Sequence, residues 1–279
     1  MSMEFMYNYG RLPKDRELLI DIDSAARRLF NKLKYLDRDS LKISDYNKRY
    51  LGNHLGNIHS TLQRYSYLLS WSVAFTEMRY VSSSILIFRE GSGVLSLPAK
   101  EFKIGTVIYN DIYDVSCKDA KTIGESIGNQ ADYYVHGDID NVIRFLKTNS
   151  ISCNAIASYD VIEHIYDIEG FLSKLHLLSD GALSVVMSSG ANNLNPRIRK
   201  QLMKQHIEFE CNDREKKWGH KERDSLRAYL KVREEMILKY AQNLTKNEVE
   251  HLARATRGMI ESDIKKCVDE HRIKGQFPQ

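Results

Sequence analysis

Proline, paired cysteine and long apolar runs are all scarce in this chain, and each scarcity removes a class of protein. Four prolines in 279 residues exclude Pro-rich linkers and extended polyproline segments. No stretch approaches the roughly 20 consecutive apolar residues of a membrane-crossing helix, so no membrane span is expected. Cys117, Cys153, Cys211 and Cys267 stand far apart with no CxxC pair, which argues against a disulfide framework and against a zinc site. They read as the reduced thiols of a cytoplasmic protein. The opening MSMEFMYNYGRLPKDRELL turns charged before any apolar signal region develops, so a secretory leader is not expected. Neither sign of charge dominates: 41 basic against 37 acidic residues leave +4. That is too little by itself to argue for a nucleic-acid partner.

What is present is a globular composition, 42% hydrophobic and 28% charged, whose patterning changes twice along the chain. Between residues 15 and 36, Leu18, Leu19, Ile22, Ala25, Ala26, Leu29, Phe30 and Leu33 recur at helical spacing with charge opposite. A break follows over 37–53. Residues 55–78 are then helical again, with Ile58, Leu62, Tyr65, Leu68 and Leu69 on one side. Residues 1–79 therefore read as a helical cap or lead-in. From 80 to 195, short apolar runs at 84–88, 106–110, 132–137, 154–159 and 182–188 alternate with helix-compatible stretches at 117–128, 139–148 and 167–178. Such alternation indicates a parallel sheet covered on both faces. The expected fold class is α/β, a doubly wound, mostly parallel, Rossmann-like sheet.

From 196 to 279 the strand signals fade. Leu226, Tyr229, Leu230, Arg233, Ile237 and Tyr240 suit one amphipathic helix, and Thr245 with Glu248 forms a capping-box pattern before another. This helical extension holds 20 basic and 14 acidic residues. It reads first as a solvated face and second as a contact for an anionic substrate or polymer.

Ligands of open parallel sheets sit beyond the carboxyl ends of the strands, so the residues at those ends carry the functional reading. After the first run come Gly91, Ser92 and Gly93, where glycine permits positive φ and lets a ligand approach the backbone. After the second come Asn110, Asp111 and Ile112. The Asp111 carboxylate, 18 residues beyond Gly93, suits the hydroxyls of a ribose. After the third come His136, Gly137, Asp138 and Ile139, with Asp138 a second acid for an adenine amino group. After the fourth comes Ser158-Tyr159-Asp160-Val161-Ile162-Glu163-His164. Singly, each has an ordinary explanation as a turn glycine or a helix cap. At four successive strand ends they read as one site.

Over residues 80–190 these motifs resemble the class I S-adenosylmethionine-dependent methyltransferases. That family ends its first strand in an acid-x-Gly-x-Gly-x-Gly loop. Here Ile87 stands in place of the acid, Arg89 in place of the first glycine, and Gly91 and Gly93 match the second and third. Asp111 matches the ribose-binding acid and Asp138, in GDID, the adenine-side acid. SYDVIEHIYDIEGFL is similar to the fourth-strand signature, an Asp-x-x-Glu-His run followed by a helix. LSDGALSVVMSSGANNLNP resembles the fifth-strand segment, with Asp180-Gly181-Ala182 in place of Pro-Gly-Gly. The resemblance implies S-adenosyl-L-methionine as cofactor, held by Gly91, Gly93, Asp111, Ile112, Asp138, Ile139, Ser158 and Tyr159. Glu90 is the candidate for the carboxylate missing at Ile87.

The implied reaction is methyl transfer, with a small-molecule acceptor expected, such as a sugar or an anionic metabolite, methylated on oxygen. A hydroxyl acceptor calls for a general base. The candidates are His164 with its neighbour Glu163, and His220 in KKWGHKERD. In DYNKRYL (45–51), Tyr46, Arg49 and Tyr50 offer a segment that closes over the cofactor, its arginine meeting a carboxylate. The equal alternative is a helix start with aromatic packing. Tyr65, Tyr67, Trp71 and Phe75 read as core or cap interface.

Other readings use the same residues. A nicotinamide dinucleotide site needs a glycine at position 96, where Ser96 stands. Methylation of RNA or protein draws on the basic extension. A non-catalytic binding protein of this fold draws on Ile87 and Arg89. Asp160, Glu163 and His164 are metal-ligand types without a further ligand assigned, and no metal is expected. Nucleic acid is not the favoured partner, and a homo-oligomer is left open.

Overall fold

The computed structural model describes residues 3–6, 11–76, 79–88, 91–216, 218 and 226–275. The chain divides into two compact units, 1–191 and 192–279. In the first, α1 (Arg16–Lys34), α2 (Asp45–Gly56) and α3 (Ile58–Ala74) lead into β1 (Ser84–Phe88), α4 (Ser96–Glu101), β2 (Thr106–Asp111) and α5 (Asp114–Ser126). There follow β3 (Tyr133–His136), α6 (Ile139–Asn149), β4 (Ala155–Tyr159), α7 (Ile168–Lys174) and β5 (Ser184–Ser188).

The strands form one wholly parallel sheet in the order β3-β2-β1-β4-β5. The expected α/β, doubly wound, Rossmann-like architecture is the observed one. From β1 the chain steps outward through β2 and β3, then crosses to β4 and β5 on the other side. The carboxyl ends of β1 and β4 therefore border the point where strand order reverses, which is where open sheets bind ligands.

The apolar run SILIF becomes a central strand because both its faces must be covered. Successive side chains point to opposite faces of a sheet. Ile85 and Ile87 accordingly join one core with Leu29, Leu69 and Ala120, while Leu86 and Phe88 join another with Val142, Ile156 and Phe171. The Phe88 and Phe171 rings lie 5.1 Å apart.

The helices that lead in to the sheet pack directly on it. Leu18, Ile22 and Leu29 of α1 and Leu62, Tyr65 and Leu69 of α3 share one core with Ile85, Val107 and Ala155. A buried carboxylate reinforces this layer. Glu101 accepts from Arg28 Nε at 2.8 Å, Lys32 Nζ at 2.6 Å and Asn129 Nδ2 at 2.9 Å. Burial pushes its carboxyl up, but the hydrogen bonds from Lys32, Asn129 and Arg28 prevail and leave it below the usual range.

The break expected over 37–53 contains a helical turn at 38–40 and the start of α2. Ser44 caps α2, accepting from the Asn47 N–H at 3.3 Å. Asp119 of α5, itself buried, accepts from the Ser44 N–H at 3.1 Å and from Asn47 Nδ2 at 2.8 Å. These bonds fix the start of α2 against α5, which follows directly from β2.

The second unit holds α8 (Pro196–Cys211), α9 (Tyr229–Tyr240), α10 (Lys246–Ala255) and α11 (Glu261–Lys274), with Ile237, Leu252, Ile264 and Val268 at its core. Its boundary falls at 191/192, a little before the expected 195/196. Both halves of the capping box before α10 form: Thr245 N–H donates to Glu248 Oε2 at 2.7 Å, and Glu248 N–H donates to Thr245 Oγ1 at 3.3 Å. Among the described residues, no helix is long and apolar enough to cross a membrane.

Candidate functional site

The loop after β1 is braced by the end of β2. Gly91 and Gly93 take φ of +76° and +78°, the left-handed region that glycine occupies without a steric cost. The Gly91 N–H donates to Asp111 Oδ2 at 3.0 Å, and the Tyr109 hydroxyl donates to the Gly91 carbonyl. Asp111 Oδ1 accepts from the Tyr113 N–H at 2.8 Å. Asp111 is only 3% exposed. Its carboxylate, expected to serve a ribose, thus binds backbone on both sides and shapes the loop. The two glycines also differ. A Cβ on Gly91 would meet nothing within 4 Å among the described residues, whereas one on Gly93 would lie 2.5 Å from the Ala120 Cβ. Gly91 borders open space, and Gly93 lets the loop pack on α5.

The β3 end is organised differently from the expectation. Asp138 is the N-cap of α6, its Oδ1 accepting from the Asp140 and Asn141 N–H groups at 3.0 and 3.1 Å. Ile139 is buried with Leu86 and Phe88 in the core under α6. The Ile112 carbonyl lies 3.2 Å from His136 Nε2, linking the β2 and β3 ends. Glu90, Arg89 and His220 lie outside the described residues.

The β4 and β5 ends are joined through acids. Asp160 adopts φ +54°, and its carboxylate accepts from the Gly190 N–H. Glu163 Oε1 accepts from the Ser189 hydroxyl at 2.6 Å. His164 is exposed in the helical turn 162–164. Burial pushes the Asp160 carboxyl up, the Gly190 N–H opposes this, and Glu163 adds to the rise while Arg64 and His164 reduce it. The net shift is upward. The folded chain therefore holds this proton more tightly than the unfolded one, so stability falls as pH rises from the ordinary aspartate range through the raised value. Asp160→Asn, which tolerates the left-handed backbone, is expected to raise the melting temperature at pH 7 and to change it little near pH 3. Melting curves from pH 3 to 8 check this, and a gain independent of pH would contradict it.

Polar atoms without partners gather at the same strand ends. Ser92 Oγ, Asn110 Oδ1 and Ser158 Oγ are buried and lack a hydrogen-bond partner among the described residues. Buried polar atoms are ordinarily satisfied, at a cost of about 1 to 3 kcal/mol when they are not. The ends of β1, β2 and β4 each retain such an atom for a ligand or water to serve.

Two helices bring further groups here. Burial, then Tyr50, then the Asp111 carboxylate and Tyr113 push the Tyr46 hydroxyl up, which places Tyr46 of α2 in the field of the β2 end. Arg49, for which a ligand carboxylate and aromatic packing are equal readings, lies over the Tyr50 ring at 5.4 Å. The arginine that reaches the β4 end is Arg64 of α3. Its Nη1 donates to the Tyr159 hydroxyl at 3.2 Å, and its guanidinium carbon is 5.3 Å from the ring centre. Tyr65 meets Tyr159 edge-on at 5.8 Å, and His54 lies 5.9 Å from Tyr65. Burial, then the Arg64 charge, lowers His54 to about 4, so it is neutral at physiological pH. Sequence reasoning passed over Arg64 because α3 reads as a core helix. The signal was legible: α3 contains no acid and no other arginine or lysine.

No protein-family model matches the chain, and no curated protein matches it in sequence. The functional reading rests on the strand-end geometry. Of the expected site residues, Gly91 and Asp111 are directly bonded, while Tyr159, Asp160 and Glu163 at the β4 end have separate partners in Arg64, Gly190 and Ser189, with the charges of Glu163 and His164 acting on Asp160. Asp138 and Ile139 serve the start of α6. Among the described residues, no three His, Cys, Asp or Glu side chains are placed to hold a metal ion, so Asp160, Glu163 and His164 do not form a ligand set.

Proposed function

We propose that this chain is an S-adenosyl-L-methionine-dependent methyltransferase that acts on a hydroxyl of a small molecule. The observation that supports it most is the glycine loop after β1, held open at Gly91 by Asp111 and Tyr109 beside the strand-order reversal. A nucleoside sulfonium needs a backbone that admits close approach, polar atoms for its nucleoside and amino-acid parts, and a counter-charge for its carboxylate. Gly91, the partnerless Ser92, Asn110 and Ser158 atoms, and Arg64 fit those needs. Asp138 does not contribute its cap-bonded oxygen. When bound, the cofactor supplies an electrophilic methyl group.

The chain's own part is alignment, because an in-line displacement gains most from fixed geometry. Gly91 and Asp111 set the loop, Ser158 and Tyr159 line the β4 side, and His164 stands exposed to accept the proton of an acceptor hydroxyl. Glu163, fixed by Ser189, holds negative charge beside that histidine. We place the protein in the cytoplasm on the strength of its unpaired cysteines.

Calorimetry with S-adenosylhomocysteine, the demethylated product, tests the assignment. Saturable one-to-one binding to the full chain is expected. Absence of binding at millimolar ligand would sink the proposal.

A further inference from the structure

Among the described residues, Arg64 has no salt-bridge partner. Its Nη1 binds the Tyr159 hydroxyl, its Nη2 reaches Thr61 Oγ1 only at 3.5 Å, and its Nε is buried with no partner. A guanidinium carries five N–H donors and keeps its charge at any physiological pH. Arg64 as a whole is half-buried, but its Nε is withdrawn from water, and a donor withdrawn without an acceptor is costly.

Among the described residues, no acid bonds to it. His54 is neutral, Tyr65 and Tyr159 offer rings, and α3 carries no acid. The Asp160 carboxylate, close enough to feel the charge, is bonded to the Gly190 N–H. The Tyr159 contacts meanwhile fix the guanidinium at the carboxyl end of β4. The arrangement is a preorganised cation facing a place where ligands of open sheets sit.

We infer that Arg64 is the oxyanion anchor of this site, taking the carboxylate of a bound ligand while Tyr159 fixes its orientation. Arginine forks match carboxylates through paired, charge-assisted hydrogen bonds. The inference rests on the strand ends being the ligand site. The carboxylate has two sources, the amino-acid part of the cofactor or an acidic acceptor, and the test separates them.

The full chain, labelled at arginine Nε with nitrogen-15, is titrated with S-adenosylhomocysteine, with 5′-methylthioadenosine (which lacks the amino-acid group) and with sodium acetate. Arg64→Met identifies the Arg64 resonance and Arg64→Lys restores charge without the fork. If the cofactor supplies the carboxylate, S-adenosylhomocysteine shifts the Arg64 Nε–H resonance and binds about 10- to 100-fold tighter than methylthioadenosine. Arg64→Met then erases that margin and Arg64→Lys recovers part of it. If an acceptor supplies it, the margin is the same in Arg64→Met, and acetate shifts the resonance in protein saturated with S-adenosylhomocysteine. If S-adenosylhomocysteine fails to bind but acetate still shifts the resonance, the anchor stands and the methyltransferase reading falls.

Stability gives an independent reading. Without ligand, Arg64→Met relieves an unpaired charge and is expected to raise the melting temperature by about 2 to 4 °C. A lower melting temperature marks Arg64 as a structural residue. That result, or a resonance indifferent to both acetate and S-adenosylhomocysteine, overturns the inference.

Discussion

Gly93→Ala is expected to destabilise the first unit by roughly 2 to 5 kcal/mol, and Gly91→Ala by only about 1 to 2 kcal/mol. Both glycines have nearly the same positive φ, +78° and +76°, so the left-handed penalty is common to both. They differ in what an added methyl would meet. At position 93 it would lie 2.5 Å from the Ala120 Cβ and 3.1 Å from the Ala120 Cα. The Cα belongs to α5 and cannot rotate away, so loop or helix must shift. At position 91 it would meet nothing within 4 Å among the described residues. Urea unfolding of the two variants at constant m-value measures the difference. Ala120→Gly in the Gly93→Ala background is expected to recover part of the loss, because the two sites touch. Equal losses at 91 and 93 would show that the loop does not pack on α5 as described.

Asp111→Ala is expected to damage stability and binding together. The carboxylate accepts the Gly91 and Tyr113 N–H groups and is 3% exposed, so its removal strands two backbone donors. At about 1 to 3 kcal/mol for each orphaned group, the loss is roughly 2 to 6 kcal/mol. If the proposed cofactor site is right, affinity for S-adenosylhomocysteine is expected to fall about 10- to 100-fold, since the loop loses its brace. Asp111→Asn, which keeps one acceptor oxygen, should lie between the two. Chemical denaturation and calorimetry on the same samples separate the effects. Lower stability with unchanged affinity would leave Asp111 its bracing role and remove its ligand role. Unchanged stability would contradict the hydrogen-bond geometry itself.

The parts of the site that were legible in the sequence are those set by local chemistry. Gly91 and Gly93 read as positive-φ glycines because a short apolar run led directly into them. Asp138 is instructive in the other direction. An acid followed by Ile139 after a strand fits an adenine contact and a helix cap equally well. The cap holds in the structure because the Asp140 and Asn141 N–H groups at the start of α6 lie within reach of Asp138 Oδ1. The start of α2 was also readable in principle, since Ser44 followed by Asp45 and Asn47 is an N-terminal capping pattern. It was obscured by the few apolar residues of DYNKRYL, which bury only Asn47 and Leu51.

By itself the sequence determined the strands, their helices and the glycine turn after β1, because burial on both faces demands apolar runs and turns demand glycine. The tertiary structure alone decided which strand ends meet. Strand order places β4 beside β1, α3 crosses toward β4, and Arg64 arrives at Tyr159 from 95 residues away along the chain. No local pattern encodes that distance. A charge in a core helix is informative only when its neighbours are known, since its cost depends on whether an acid stands opposite. Here, among the described residues, none bonds to it.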